Sequence, residues 1–230
     1  MSIFRQALGT SFDALHPAMQ RRFGLSSGDR SIGRGVMKRL WRGPAYMTPF
    51  LALGASRHLL FPESGTDIPF TIENCGYRDG LGREAVSFVR TFEVAPGLRR
   101  RFDAAMVLDP DHGIVDFLGT HHHIAAALAL EVRDGGLDLR STAQLIAVSR
   151  WWPLPRWATG HARVRESYDD DSDEYVISVR VEHPVCGPVF GYDGRFNAEF
   201  DHGPPPAAVL PTLERPLPVP GARSFAGSSR

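Results

Sequence analysis

The chain has little cysteine, no excess of either charge and no long apolar run. Two of its 230 residues are cysteines. Cys75 and Cys186 lie far apart and outside any Cys-x-x-Cys pair, which excludes a disulfide framework and a zinc ribbon. Lysine plus arginine number 26, as do aspartate plus glutamate, so the formal net charge is zero. A balanced total carries no footprint for nucleic acid or for an anionic membrane, and neither is expected as a partner. The tribasic run at 99–101 reads as a solvated loop. The longest apolar stretch, 124–130, is the length of one strand and far short of a membrane span. Met1-Ser2-Ile3-Phe4-Arg5-Gln6-Ala7 lacks the pattern of a signal peptide, so the cytoplasm is the expected compartment. There is no G-x-S-x-G elbow, no P-loop and no dinucleotide fingerprint. No motif names a cofactor.

What is present is ordinary material for a sizeable core, with 43% hydrophobic and 23% charged residues. Residues 2–23 read as a helix, with Ile3, Phe4, Ala7, Leu8, Phe12 and Leu15 at helical spacing and Pro17 breaking it or opening a second turn. Residues 29–41 read as extended, with Gly33 and Gly35 marking a bulge or bend. A second helix is expected over 44–60, with Tyr46, Phe50, Leu53 and Leu60 as its buried stripe.

From Asp67 the period becomes two. Strands are expected at 67–77, 84–94, 100–109, 113–119, 122–132, 136–149, 160–168, 174–183 and 188–200. Short turn signals separate them, so neighbours are antiparallel. The fold class is therefore mainly β: an antiparallel meander closing into a lipocalin-like barrel, or a strongly curved sheet, with two N-terminal helices. Trp151-Trp152-Pro153-Leu154-Pro155-Arg156-Trp157 interrupts it as a packed loop or short helix. One domain is expected over 1–202. Residues 203–230 hold seven of the 18 prolines and read as a disordered tail.

Strand parity then sorts the charges. The apolar face of 84–94 holds Glu84, Val86, Phe88, Arg90, Phe92 and Val94. That of 160–168 holds Ala162, Val164, Glu166 and Tyr168. That of 174–183 ends in His183, and that of 188–200 includes Phe190, Tyr192 and Phe196. Arg90, Glu166, His183 and Tyr192 thus fall on faces that otherwise bury hydrocarbon. A charge removed from water costs several kcal/mol unless it is paired. The functional reading is a polar floor to a pocket. There Arg90 binds an anionic or carbonyl oxygen, Tyr192 hydrogen-bonds, and Glu166 or His183 acts as acid or base. The plainer reading is an internal Arg90–Glu166 ion pair, or strand-end groups that reach solvent.

On a strand, His121 and His123 would share a face and could supply two metal or ligand contacts. No third ligand has an identifying spacing, so no metal site is assigned. The tryptophan loop, with Arg156 and Trp157 as candidate ligand-binding residues, is a lid or partner contact, or else it plugs a barrel end or covers a sheet edge.

Several short segments resemble a bacterial domain-of-unknown-function family, number 4166. Trp152-Pro153-Leu154-Pro155-Arg156-Trp157 is similar to its "lPLPrwL" segment. Glu166 follows on the next strand, His183-Pro184-Val185-Cys186-Gly187 is similar to its "hPl-G" turn, and Tyr192-Asp193-Gly194 to its "Y-G". Arg90-Thr91-Phe92 resembles its "R-x-F" strand, and the stretch from Phe12 to Arg22 its opening. The likeness spans roughly 10–200. Cys186 departs from the usual hydrophobic residue, and His16 precedes Pro17 where another residue is common. The resemblance implies a stand-alone form of a domain often fused to saccharopine-dehydrogenase-like partners, and it implies no activity.

The reading favoured by the residues is small-molecule binding in a barrel interior, with acid/base chemistry as an option. Two others stay open. One is a non-enzymatic interaction module that presents the tryptophan loop or the tail. The other is a metal-dependent enzyme at His121 and His123.

Overall fold

The computed structural model describes residues 1–110, 112–147, 151–154 and 159–203. The expected disordered tail, Arg156 and Trp157 lie outside the described residues. Strands β1 (Asp29–Arg42), β2 (Gly65–Arg78), β3 (Glu84–Ala95), β4 (Leu98–Asp109), β5 (Gly113–Leu118), β6 (Ile124–Arg133) and β7 (Gly136–Ala147) follow one another as antiparallel neighbours. After a three-residue strand β8 (Trp151–Pro153) come β9 (His161–Asp169), β10 (Glu174–His183) and β11 (Gly187–His202). β11 pairs with β1, and β7 pairs with both β6 and β9, so ten strands close into an antiparallel barrel. β8 lies outside the ring and pairs with the end of β7. Trp151–Pro153 is thus a short strand rather than the expected loop or helix, and it sits at an edge, where proline is tolerated.

Turn chemistry sets the hairpins. Asp134 and Gly135 between β6 and β7 have φ of 50° and 70°. Two left-handed residues match the twist of a tight hairpin, and Asp-Gly adopts them at low cost. The glycines of β1 do other work than expected. The bulge lies at Lys38, where the pairing skips from Met37 to Arg39. Gly35 instead lets β11 approach, because a Cβ there would stand 2.0 Å from the Arg195 carbonyl oxygen.

The two ends of the barrel differ. At the base, α1 (Ile3–Leu8), a 3-10 turn (Gly9–Ala14) and α2 (Pro17–Phe23) plug the opening. Ser2 caps α1 by accepting from the Arg5 amide, and Pro17 opens α2. Phe4 meets Phe23 and Phe88 inside. At the rim, the chain between β1 and β2 forms α3 (Thr48–Ala55). This second helix follows β1 in the chain. Its expected buried stripe is corrected. Leu51 is the buried residue, and Tyr46, Phe50 and Leu53 face outward. The helix lies across the rim on Leu51, so the periodic apolar positions do not all face one partner.

Inside, Phe61, Phe70, Phe92, Phe190, Tyr192 and Phe196 form a continuous ring cluster against β1, β2, β3 and β11. That side is filled. The side bounded by β4 to β7, β9 and β10 is not.

Candidate functional site

A cavity of about 260 Å³ occupies the unfilled side. Phe88, Met106, Leu128, Leu139, Val164 and Val179 are among the apolar residues of its wall, and Met47, Leu59 and Leu60 close it from the rim. The hydrocarbon is interrupted by a few polar groups: Arg90, Asp116, Ser141, Gln144, Glu166, His183 and Tyr192. An apolar concavity with a few convergent polar groups is the usual make-up of a small-molecule site.

Arg90, Glu166, His183 and Tyr192 all line this one space, but their situations differ. Glu166 is buried and already engaged. Arg22, from the buried face of α2, donates Nε to Glu166 Oε2 and Nη2 to Oε1 at 3.3 Å. Arg22 Nη1 donates to Asn74 Oδ1 at 3.2 Å, and the guanidinium stands 4.7 Å from the centre of the Phe196 ring. The internal partner of Glu166 is therefore Arg22 and not Arg90. A bidentate arginine pair with a third hydrogen bond is the geometry in which a buried charge pair offsets its desolvation.

His183 stands at the end of β10. Its Nδ1 accepts from the amides of Val185 and Cys186, at 3.3 and 3.2 Å. A neutral ring held this way carries its proton on Nε2. Tyr192 is fully buried, its hydroxyl has no hydrogen-bond partner among the described residues, and burial pushes its pKa up to about 12.

Arg90 is clamped between Phe88 and Phe102, 5.3 and 5.1 Å from their ring centres. These contacts stabilise the cation but satisfy no donor, and Nε has no hydrogen-bond partner among the described residues. Asp116 projects from β5 between the inward positions Ile114 and Leu118. Burial outweighs the lowering effect of the nearby Arg90 charge and leaves its pKa raised from 3.8 to about 7. Its Oδ1 also lacks a partner among the described residues. An unmet buried donor or acceptor costs about 1–3 kcal/mol, and more when charged. Three such groups, Arg90, Asp116 and Tyr192, are gathered in one cavity. Unsatisfied groups concentrated this way mark a surface shaped for something other than stability.

The wall has a seam. β7 pairs with β9 over Leu137 to Arg140, then diverges toward β8. Side chains bridge the gap. Ser141 Oγ accepts from the Ala162 amide at 2.8 Å, while Gln144 donates to the Gly160 carbonyl at 2.7 Å and accepts from its amide at 3.2 Å. Both side chains face inward because the register of β7 skips Thr142. Such a bulge re-aims side chains next to a site.

The histidine run lies elsewhere. β6 begins at Ile124, so His121 and His123 sit in the connection before it and not on a strand. Their rings are 5.7 Å apart, while the buried His122 has a φ of 52° and stacks on Phe117 of the barrel's outer face. Neither His121 nor His123 borders the cavity. Among the described residues no group of three His, Cys, Asp or Glu could hold a metal.

Residues 15–196 match the family described as Domain of unknown function (DUF4166). The chain belongs to that family. The uncharacterized protein YndH of Bacillus subtilis (strain 168) is 33% identical over 201 residues, covering 86% of this chain and 97% of the relative. No solved structure matches. The match to DUF4166 takes in Arg22, Arg90, Asp116, Glu166 and Tyr192, so the cavity lies within the family domain.

Sequence reasoning missed Asp116, Arg22 and the Ser141–Gln144 pair. Asp116 carried the same parity signal as Arg90, a charge between Ile114 and Leu118 on a strand. Arg22 offered none, because its partner stands 144 residues away.

Proposed function

We propose that this DUF4166 barrel binds a small molecule with an apolar body and one oxygen-bearing end. The observation that carries the reading is the set of unpaired polar atoms, Arg90 Nε, Asp116 Oδ1 and the Tyr192 hydroxyl, inside one largely apolar cavity. Arg90 donates to a carboxylate or carbonyl oxygen. Asp116, titrating near neutrality, accepts from a ligand hydroxyl or shares a proton with a ligand acid. The hydrocarbon lies against Met106, Leu128, Leu139 and Val164. The volume of about 260 Å³ is below the roughly 300–1,000 Å³ of drug-sized sites, so the occupant is small. The seam closed by Ser141 and Gln144 is its way in, because only side-chain hydrogen bonds must open there. Glu166, paired to Arg22, serves as structural support. His183 is the remaining acid/base candidate, through Nε2.

Titration calorimetry with straight-chain carboxylates from hexanoate to dodecanoate, each against its methyl ester, tests this. Saturable one-to-one binding is expected, and Arg90→Met should weaken the acid by about ten- to a hundredfold, the range of a charge-assisted hydrogen bond. Equal affinity of wild type and Arg90→Met, or no saturable binding, would refute it.

A further inference from the structure

The zero net charge of the chain conceals a separation along the barrel axis. The connection between β9 and β10 at the base holds Asp170, Asp171 and Asp173, with Asp169 beside them, and the β6–β7 turn adds Asp134. The rim half carries the exposed cations Lys38, Arg39, Arg57, Arg99 and Arg163, none of which makes an ion pair among the described residues. Against them stand the carboxylates Asp67, Glu93, Glu182 and Asp193, which also make no ion pair among the described residues, so the rim keeps an excess of positive charge.

The same end exposes hydrocarbon. α3 contains no charged residue. A helix apolar on all sides belongs inside a protein or in a bilayer, yet this one lies on the surface. Tyr46, Phe50 and Leu53 are 59%, 69% and 67% exposed, and Val185 in the β10–β11 turn is 74% exposed. The Tyr46 hydroxyl donates to the Cys186 carbonyl at 3.1 Å, which joins α3 and that turn into one platform. Leu98, 38% exposed, extends the apolar surface at the β3–β4 turn beside Arg99.

We infer that the rim is a docking surface for an anionic lipid bilayer. Aromatic and aliphatic tips insert between headgroups while surrounding arginines meet lipid phosphates. The charge decides the occupant. A second copy meeting rim to rim would oppose cation to cation, whereas an anionic bilayer complements both features at once. The surface goes beyond the cavity reading. It places Met47, Leu59 and Leu60, the cavity's rim wall, next to the membrane.

Vesicle sedimentation on the full chain tests it. At physiological ionic strength, vesicles containing phosphatidylglycerol should pellet the protein and pure phosphatidylcholine vesicles should not. Phe50→Ser with Leu53→Ser should weaken the binding at least tenfold, as should Arg57→Glu with Arg99→Glu. All four positions are exposed, so an unchanged melting curve confirms folding. Arg90→Met, inside the cavity, should bind vesicles like wild type, so failure of ligand binding leaves this result standing. The inference is overturned if the wild type stays in the supernatant with anionic vesicles or if the Phe50/Leu53 variant pellets equally. It is also overturned if sedimentation velocity shows a dimer that this variant abolishes while vesicles are ignored.

Discussion

Asp116→Asn should change the pH dependence of stability, and the structure sets both sign and size. In the unfolded chain the carboxyl has its ordinary pKa of 3.8, and burial in the barrel raises it to about 7. The native state therefore holds a proton over a range in which the unfolded state has released it. Stability that depends on this group is present in full below about pH 4. It is lost as pH rises and levels off above about pH 7. Each tenfold change in proton affinity corresponds to about 1.4 kcal/mol, so the full span is on the order of 4 kcal/mol and the part between pH 4.5 and 8.5 about 3 kcal/mol. Asparagine keeps the shape and cannot ionise. Urea unfolding of wild type and variant at several pH values isolates the contribution, because every other titrating group cancels in the difference. Asp116→Asn should match the wild type near pH 4 and exceed it by a few kcal/mol at pH 8.5. Parallel curves across that range would refute the assignment of a buried, strained carboxyl.

Two further outcomes follow from the buried groups. Arg22→Met leaves the Glu166 carboxylate inside the barrel without its cation and should cost about 3–5 kcal/mol in urea unfolding. Arg22→Met with Glu166→Leu should recover most of it, and a double variant no better than the single would contradict the pairing. Cys75 is fully buried and desolvation raises its pKa to about 11, whereas Cys186 is half-exposed in a rim turn. Iodoacetamide at pH 8 should therefore modify Cys186 first and reach Cys75 only with global unfolding, as read by intact mass spectrometry. Rapid labelling of both thiols in the folded protein would contradict the core arrangement.

The barrel was largely legible because its evidence is local. Period-two segments and glycine- or proline-bearing turns mark β2 to β7 and β9 to β11 within a residue or two, and short links force antiparallel neighbours. Parity then carried Arg90, Glu166 and Tyr192 to the interior, since alternation needs no tertiary knowledge. It failed where alternation itself is broken. The extra residue at Thr142 turns both Ser141 and Gln144 inward, and nothing in that stretch of sequence announces a bulge. It failed also where one element covers another. Tyr46, Phe50 and Leu53 have the spacing of a buried stripe, but α3 caps an opening already closed by Leu51, so that face has no protein to meet. The partner of Glu166 was beyond local reasoning, because only closure of the barrel over its helical plug brings Arg22 to it.

The central claim is that the Arg90 and Asp116 side of the interior is a binding site and not a packing defect. An X-ray structure of the protein crystallised with octanoate tests it most directly. The account predicts one bound molecule inside the barrel, its carboxylate within hydrogen-bond distance of Arg90 Nε and its chain against Leu128, Leu139 and Val164. An interior closed by side chains, or octanoate found only on the outer surface, would contradict it.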